Sequence, residues 1–453
     1  MSSANRKERK NLRLASLGAT LEYYDFVAYV YVASAISQAF FPEGSSETLR
    51  LVQTFGIYSI GFVARPVAGI FMSRLADRIG RKKIFIFTLG LMSAATFGIG
   101  VLPTYETVGW LAPMLLLLMR VLQGCAVGGE LPAAAVFVSE FAGPSRVGYA
   151  GAYLQSLAYG GFLMGASAAY VANFLADNIW TGSPSLEWRL PFIIGGVLGV
   201  VALYFRRELD ETPAFRELEE QVGPQGSERQ GSLSAVLREH RPAVMFGFLL
   251  IGTLSIINIV FFQYWPTYLQ VNLGHSANMA LSSSLLAIIG AMIAIPLWGR
   301  FADRYGWRAL FVCGAVASMI SSIAAFSVLP SIATDSPLLL MVSLPAAIGV
   351  ASLAGAVPGL LASLFPTAIR QSGYAIPYNV GVAVVAGLLP LSLAPLIDTV
   401  GVRAPLLLAL FSCALLLVAA AWVTRIPLYL GRSTIATDTE IVDDHEVLNQ
   451  RTS

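Results

Sequence analysis

Charge is what this chain has least of. Only 12% of its 453 residues are charged, against about 25% in an ordinary soluble domain. Hydrophobic residues make up 56% and mean hydropathy is +0.68, so most of the chain belongs in lipid. Cysteine and histidine are scarce too, with three of each. Cys125, Cys313 and Cys413 all lie in apolar runs and read as small buried hydrophobes, which argues against a disulfide framework. His240, His275 and His445 fall in polar or terminal stretches with no ligand spacing, so no metal site is expected. No H-E-x-x-H, G-x-S-x-G or paired-histidine pattern occurs in an apolar run, so neither an enzyme nor a cofactor is expected. A net charge of +2 gives no footprint for nucleic acid.

What is present is a succession of apolar runs. A spanning helix needs about 20 predominantly apolar residues. Candidates fall near 14–40, 52–72, 84–102, 111–139, 148–175, 190–206, 243–271, 279–299, 309–329, 337–362, 373–397 and 404–426. The basic N-terminus followed by a long apolar run without a small-residue cleavage site reads as a first span that stays attached. The expected fold is an all-α membrane protein of 12 transmembrane helices in two six-helix bundles. Its expected parts are an N-terminal bundle at 1–206, a cytoplasmic linker at 207–241, a C-terminal bundle at 242–428 and a cytoplasmic tail at 429–453.

Basic residues give the orientation. With the N-terminus inside, 24 of the 29 lysines and arginines fall on inner segments, and only Arg50, Arg189 and Arg403 on outer loops. That asymmetry predicts cytoplasmic termini. Arg65 and Arg120 are left inside spans.

A turn signature occurs twice. Ser73 to Arg81 reads SRLADRIGR, and Gly299 to Trp307 reads GRFADRYGW, with Asp77 and Asp303 226 residues apart. A second pair, Phe141 to Arg146 and Phe365 to Arg370, keeps nearly the same offset. Internal repeats among membrane helices point to a secondary transporter. In the repeated turns, Asp77, Arg78, Gly80, Arg81, Asp303, Arg304 and Gly306 are candidate gate residues. Their aspartates can pair with basic groups or with helix N-termini of the opposite side. Positive-inside anchoring would explain the arginines but not the repeated Asp and Gly.

Charges inside the membrane are costly, about 2.5–3.5 kcal/mol each at least, and mark function. Glu22 and Asp25, three apart, share a helix face with Tyr29. In span four, Arg120, Gln123, Val127 and Glu130 form one stripe beside Gly124 and Gly128, which permit close helix approach. Asp25, Glu22 and Glu130 are the proton-coupling candidates, Glu130 equally suited to a gate or to packing. Burial and a nearby guanidinium pull a carboxyl's proton affinity in opposite directions, which leaves it poised. Arg120 and Arg65 offer planar forks for a carboxylate. Tyr29, Gln123, Asn258, Gln263, Tyr378 and Asn379 are further substrate-binding candidates, with core packing an equal reading for each.

These stretches together resemble the major facilitator superfamily, and within it the metabolite:proton symporters of bacteria. The residues that carry the resemblance are the two turn signatures, Glu22-Tyr23-Tyr24-Asp25-Phe26, Arg65-Pro66, Arg120 to Gly124 with Gly128-Gly129-Glu130, Trp188 to Phe192, Leu364 to Thr367, and Tyr378-Asn379. Ser73, Tyr23 and Ser363 depart from the usual pattern. The resemblance implies helices 1 and 4 around a central cavity, so it aims Asp25 at Arg120, either as a fixed pair or as a pair that exchanges partners. It also implies a bacterial inner-membrane monomer carrying a small solute with protons by alternating access. Two cavity arginines favour an organic acid of di- or tricarboxylate type. A zwitterion such as proline or betaine, cradled by Tyr23, Tyr24 and Tyr29, is the alternative, as is a drug or metabolite antiporter. The Gly-Pro element of drug antiporters is missing from helix 5.

The orientation has a direct check. A cysteine at position 44 should label from outside intact cells, and one at 225 should not. External labelling at 225 would overturn the twelve-span topology.

Overall fold

The computed structural model describes residues 19–79, 81–127, 130–142, 145–179, 185–206, 238–366 and 369–430. They are helical almost throughout. In lipid every backbone N–H and C=O must be satisfied within its own segment, and the helix does this. Some hydroxyls inside the spans return to the carbonyl one turn back, as Ser93 does to Leu89 O and Thr253 to Leu249 O, each at 2.7 Å.

The N-terminal bundle begins with α1 (19–31), which breaks at Val32 and continues as α2 (Ala33–Phe40). It goes on through α3 (Glu47–Ile79), α4 (Arg81–Gly100), α5 (Leu111–Ala126), α6 (Glu130–Ala142), α7 (Val147–Asn178) and α8 (Leu186–Arg206). The C-terminal bundle holds α9 (Arg241–Asn258), α10 (Ala277–Tyr305), α11 (Trp307–Val328), α12 (Leu338–Ser363), α13 (Arg370–Gly381), α14 (Gly387–Val400) and α15 (Ala404–Trp422). Most of the predicted 207–241 linker and the tail from 431 lie outside the described residues.

Three predicted spans are not single rods. The fourth stops at Ala126, where Val127 turns extended, and resumes at Glu130 beyond Gly128-Gly129. The seventh and eleventh pass through π-helical turns at Ile259–Gln263 and Val382–Ala386. Among the described residues, seven helical stretches are long and apolar enough to cross a membrane on length and composition alone. The first and second spans carry Glu22, Asp25 and Arg65, and these charges dilute their hydropathy.

The bundles meet along two seams. Helix α7 runs antiparallel to α10 over nearly its whole length. Gly148 lies by Asp303, Ser156 Oγ donates to Met292 O at 2.8 Å, and Asn278 donates to Asp177 at 2.9 Å. Helix α3 packs on α14, where Ser59 Oγ donates to Gly387 O. Tyr31 Oη donates to Phe262 O at 2.6 Å, so the π-turn of span seven is tied to helix α1.

At the end that carries the repeated turn, the first seam is closed backbone to backbone. A Cβ on Gly151 would fall 2.4 Å from Gly359 N, closer than atoms approach. Gly151→Val should therefore hold the bundles apart there. In a background lacking the native cysteines, a cysteine at the buried Val147 should become labelled from the predicted cytoplasmic side only when Gly151→Val is present. Equal labelling with and without the substitution would show that the seam does not gate.

Candidate functional site

The site is built on α1, α3, α4 and α5 around one small cavity. Asp25, Phe26, Tyr58, Gly61, Phe62, Arg65, Arg120, Gln123, Gly124 and Val127 line it. It has room for about one water molecule. A Cβ on Gly124 would meet Gly61 O, so α3 and α5 touch through backbone and bring Arg65 and Arg120 to the same wall.

Asp25, Arg65 and Arg120 line this space, and Glu22 is buried beside Arg65. Arg65 Nη1 pairs with Glu22 Oε1 at 3.3 Å, and its guanidinium lies between the rings of Phe26 and Phe62 at 4.1 and 4.3 Å. Arg120 lies over the Tyr29 ring at 3.7 Å. Such stacking on a desolvated ring contributes about 2 kcal/mol and holds the charge without neutralising it.

Arg120 and Asp25 do not pair directly. Arg120 Nη1 donates to Gln123 Oε1 at 2.7 Å, Gln123 Nε2 to Thr96 Oγ1 at 2.9 Å, and Thr96 Oγ1 to Asp25 Oδ1 at 2.7 Å. Arg120 Nε and Nη2 are buried and have no hydrogen-bond partner. These two atoms form the side-on edge of the guanidinium, the edge that takes a carboxylate bidentately. A planar fork therefore stands free at the cavity wall.

The other predicted residues fall in three groups. Gln263 Oε1 accepts from Tyr58 Oη at 2.9 Å and so touches the wall from the second bundle. Asn258 accepts from Tyr159 Oη, Tyr378 stacks beside Tyr374 and Asn379 is half-buried; none of these three lines the cavity. Tyr29 spends its hydroxyl on Thr54 O at 2.9 Å and serves as a platform under Arg120. Tyr24 turns to α8, where its hydroxyl meets Pro191 O, so the expected cradle of three tyrosines does not form. The side chain of Glu130 lies outside the described residues. Tyr58, Phe26 and Phe62 line the wall, and Thr96 bonds two wall residues, Asp25 and Gln123; none of the four was a site candidate from sequence. A hydroxyl in the middle of an apolar helix was the only signal for Thr96.

At the repeated turn, Asp303 Oδ1 and Oδ2 accept from Gly148 N at 2.7 Å and Tyr149 N at 2.8 Å. A carboxylate of one bundle thus caps the α7 N-terminus of the other, the placement a helix dipole favours. Arg300 adds a stacking contact over the Tyr149 ring at 4.7 Å. Gly306 has φ +86°, which explains the glycine of the signature. Arg304 is exposed beside Tyr305. Gly80 and the side chains of Asp77, Arg78 and Arg81 lie outside the described residues. Arg189 Nη1 donates to Gly100 O at 3.1 Å and ties α8 to the end of α4.

Residues 15–295 match the profile of the Major Facilitator Superfamily. The chain belongs to that superfamily. It is 32% identical over 381 residues to the glycine betaine/proline/ectoine/pipecolic acid transporter OusA of Dickeya dadantii (strain 3937), covering 82% of this chain and 74% of that one. It is also 32% identical over 366 residues to the alpha-ketoglutarate permease of Escherichia coli (strain K12), covering 80% and 82%. Among solved structures it superposes on the proton:xylose symporter XylE bound to 6-bromo-6-deoxy-D-glucose with TM-score 0.74. That match covers 95% of this chain and 98% of that one at 16% identity, a likeness of fold alone. The protein is therefore a multi-pass membrane transporter, not an enzyme, with the 12-helix fold of its superfamily.

Proposed function

We propose that this transporter takes up a small zwitterion of the proline or betaine kind together with a proton, replacing the organic acid that two cavity arginines suggested. The observation that carries this reading is the state of those arginines. Arg65 is paired with Glu22 through Nη1 and has one buried unpartnered atom, Nε, whereas Arg120 has both atoms of a fork, Nε and Nη2, unpartnered. With two carboxylates and two guanidiniums the buried set sums to zero formal charge. A zwitterion adds no charge to the site, with or without the coupled proton, whereas a dicarboxylate would bring two negative charges against one proton. The solute carboxylate sits on Arg120, and its cationic end has Asp25 and the faces of Phe26, Phe62 and Tyr58 nearby. The likeness to a betaine and proline transporter over most of the chain supports the same solute class. The permease for alpha-ketoglutarate, equally similar, is the relative that favours the acid.

Asp25 carries the proton. It is the cavity carboxylate without an arginine on it, whereas Glu22 has Arg65. Glu22 thus serves as counter-ion to Arg65 and not as a helper to Asp25. The setting is a bacterial inner membrane with both termini inside, as the basic residues indicate.

Cells expressing the chain should accumulate labelled proline or glycine betaine when the interior is made alkaline. Excess 2-oxoglutarate should not compete. Accumulation of 2-oxoglutarate with neither zwitterion transported would overturn the reading. Arg120→Lys keeps the charge and loses the fork, so solute affinity should fall about tenfold or more. Asp25→Asn should abolish uphill uptake yet retain exchange between equal concentrations. Uphill uptake that survives Asp25→Asn would place the proton elsewhere.

A further inference from the structure

Thr96 reaches the wall residues Asp25 and Gln123 from α4, a helix that contributes no charge to the cavity. It sits in the middle of the only hydrogen-bonded path from Arg120 to Asp25 among the described residues. We propose that Thr96 and Gln123 are positioning residues forming a relay that ties occupation of the Arg120 fork to the proton on Asp25. The proposal rests on the reading that Arg120 takes a solute carboxylate.

The chemistry of the two ends fixes the direction of the relay. A guanidinium only donates hydrogen bonds and an ionised carboxylate only accepts them. Gln123 must therefore show its oxygen to Arg120 and its nitrogen to Thr96. Thr96 then accepts from Gln123 and spends its single hydrogen on Asp25. All four side chains are at least 95% buried, so bulk water does not compete for these bonds.

That order cannot persist once Asp25 carries a proton on Oδ1. The new O–H donates and Thr96 accepts it, which frees the Thr96 hydrogen to turn toward Gln123. Gln123 can receive it only by rotating its amide, oxygen toward Thr96 and nitrogen away. The rotated nitrogen would face Arg120 Nη1, a clash of donors that takes away the acceptor Arg120 had and leaves its guanidinium to a solute carboxylate. Proton and solute carboxylate thus favour the same relay orientation. Only a proton is transferred, from water to Asp25, and every other change is a rotation.

The charged and titratable groups facing Asp25 are Arg120 from α5, Arg65 and Tyr58 from α3, and Glu22, Tyr24 and Tyr29 from its own helix. Arg65 and Tyr24 are engaged with Glu22 and Pro191 O. Tyr58 and Tyr29 donate to Gln263 and to Thr54 O. None of these bonds needs to break when the relay turns over.

The test uses the full-length protein in lipid and the infrared band of the protonated carboxyl, assigned by its loss in Asp25→Asn. Its midpoint is read as a function of pH. Thr96→Val and Gln123→Leu should each move the midpoint by about one pH unit or more, and the double variant no further than the larger single. Thr96→Ser, which keeps the hydroxyl, should restore the wild-type midpoint. Adding proline, glycine betaine or 2-oxoglutarate, whichever binds, should move the midpoint in the wild type and leave it fixed in Gln123→Leu. An unmoved midpoint in Gln123→Leu, shifts that add in the double variant, or equal solute effects with and without Gln123 would each overturn the relay. Should Thr96→Val fail to fold, Gln123→Leu and Thr96→Ser still decide the matter. A protein that responds only to 2-oxoglutarate but shows this pattern would sink the zwitterion reading and leave the relay standing.

Discussion

The structure depends on placing four ionic side chains in the interior of a membrane bundle without leaving a net charge there. Each alone would cost several kcal/mol in hydrocarbon. The chain meets that cost in two ways. Glu22 and Arg65 form a contact pair between two phenyl rings, a closed arrangement with little left to offer a ligand. Asp25 and Arg120 are held apart by Gln123 and Thr96, so each keeps part of its bonding capacity. One pair holds the helices together and the other is able to act. Removing a partner from either would strand a buried charge, which destabilises more than the pair itself stabilises.

The two bundles divide the work unequally. All four of these ionic groups lie on the N-terminal bundle, in α1, α3 and α5. The second bundle contributes helices with π-turns. The π-turn of span seven offers Phe262 O to Tyr31, and Gly387, directly after the second π-turn, offers its carbonyl to Ser59. Single hydrogen bonds of this kind contribute about 1 kcal/mol each. The seam at the Asp303 end is different, because glycine backbones meet there and a carboxylate caps the opposing helix.

Much of this was legible in the sequence. The apolar runs gave the spans, and the basic asymmetry gave an expected orientation. Charges inside apolar runs marked Glu22, Asp25, Arg65 and Arg120, because lipid penalises them wherever they point. Asp303, which caps the opposing helix, was visible as part of a repeated motif. Breaks at Val32 and Val127 were less legible, since apolar residues continue across them and hydropathy does not record backbone direction. Pairing was not legible at all. The resemblance aimed Asp25 at Arg120, and the two share the cavity, joined through Gln123 and Thr96 and not by direct contact, while Glu22 pairs with Arg65 across helices.

By itself, then, the sequence determined what had to be buried and how often the chain crosses, since both follow from transfer of residues between water and lipid, summed along the chain. Tertiary structure alone decided which arginine is consumed and which is free. That choice rests on distances set by helix packing, with Gly124 against Gly61 bringing α5 onto α3 and Thr96 filling the gap between Gln123 and Asp25. A free fork is a property of unmade hydrogen bonds in three dimensions, and no one-dimensional pattern records it.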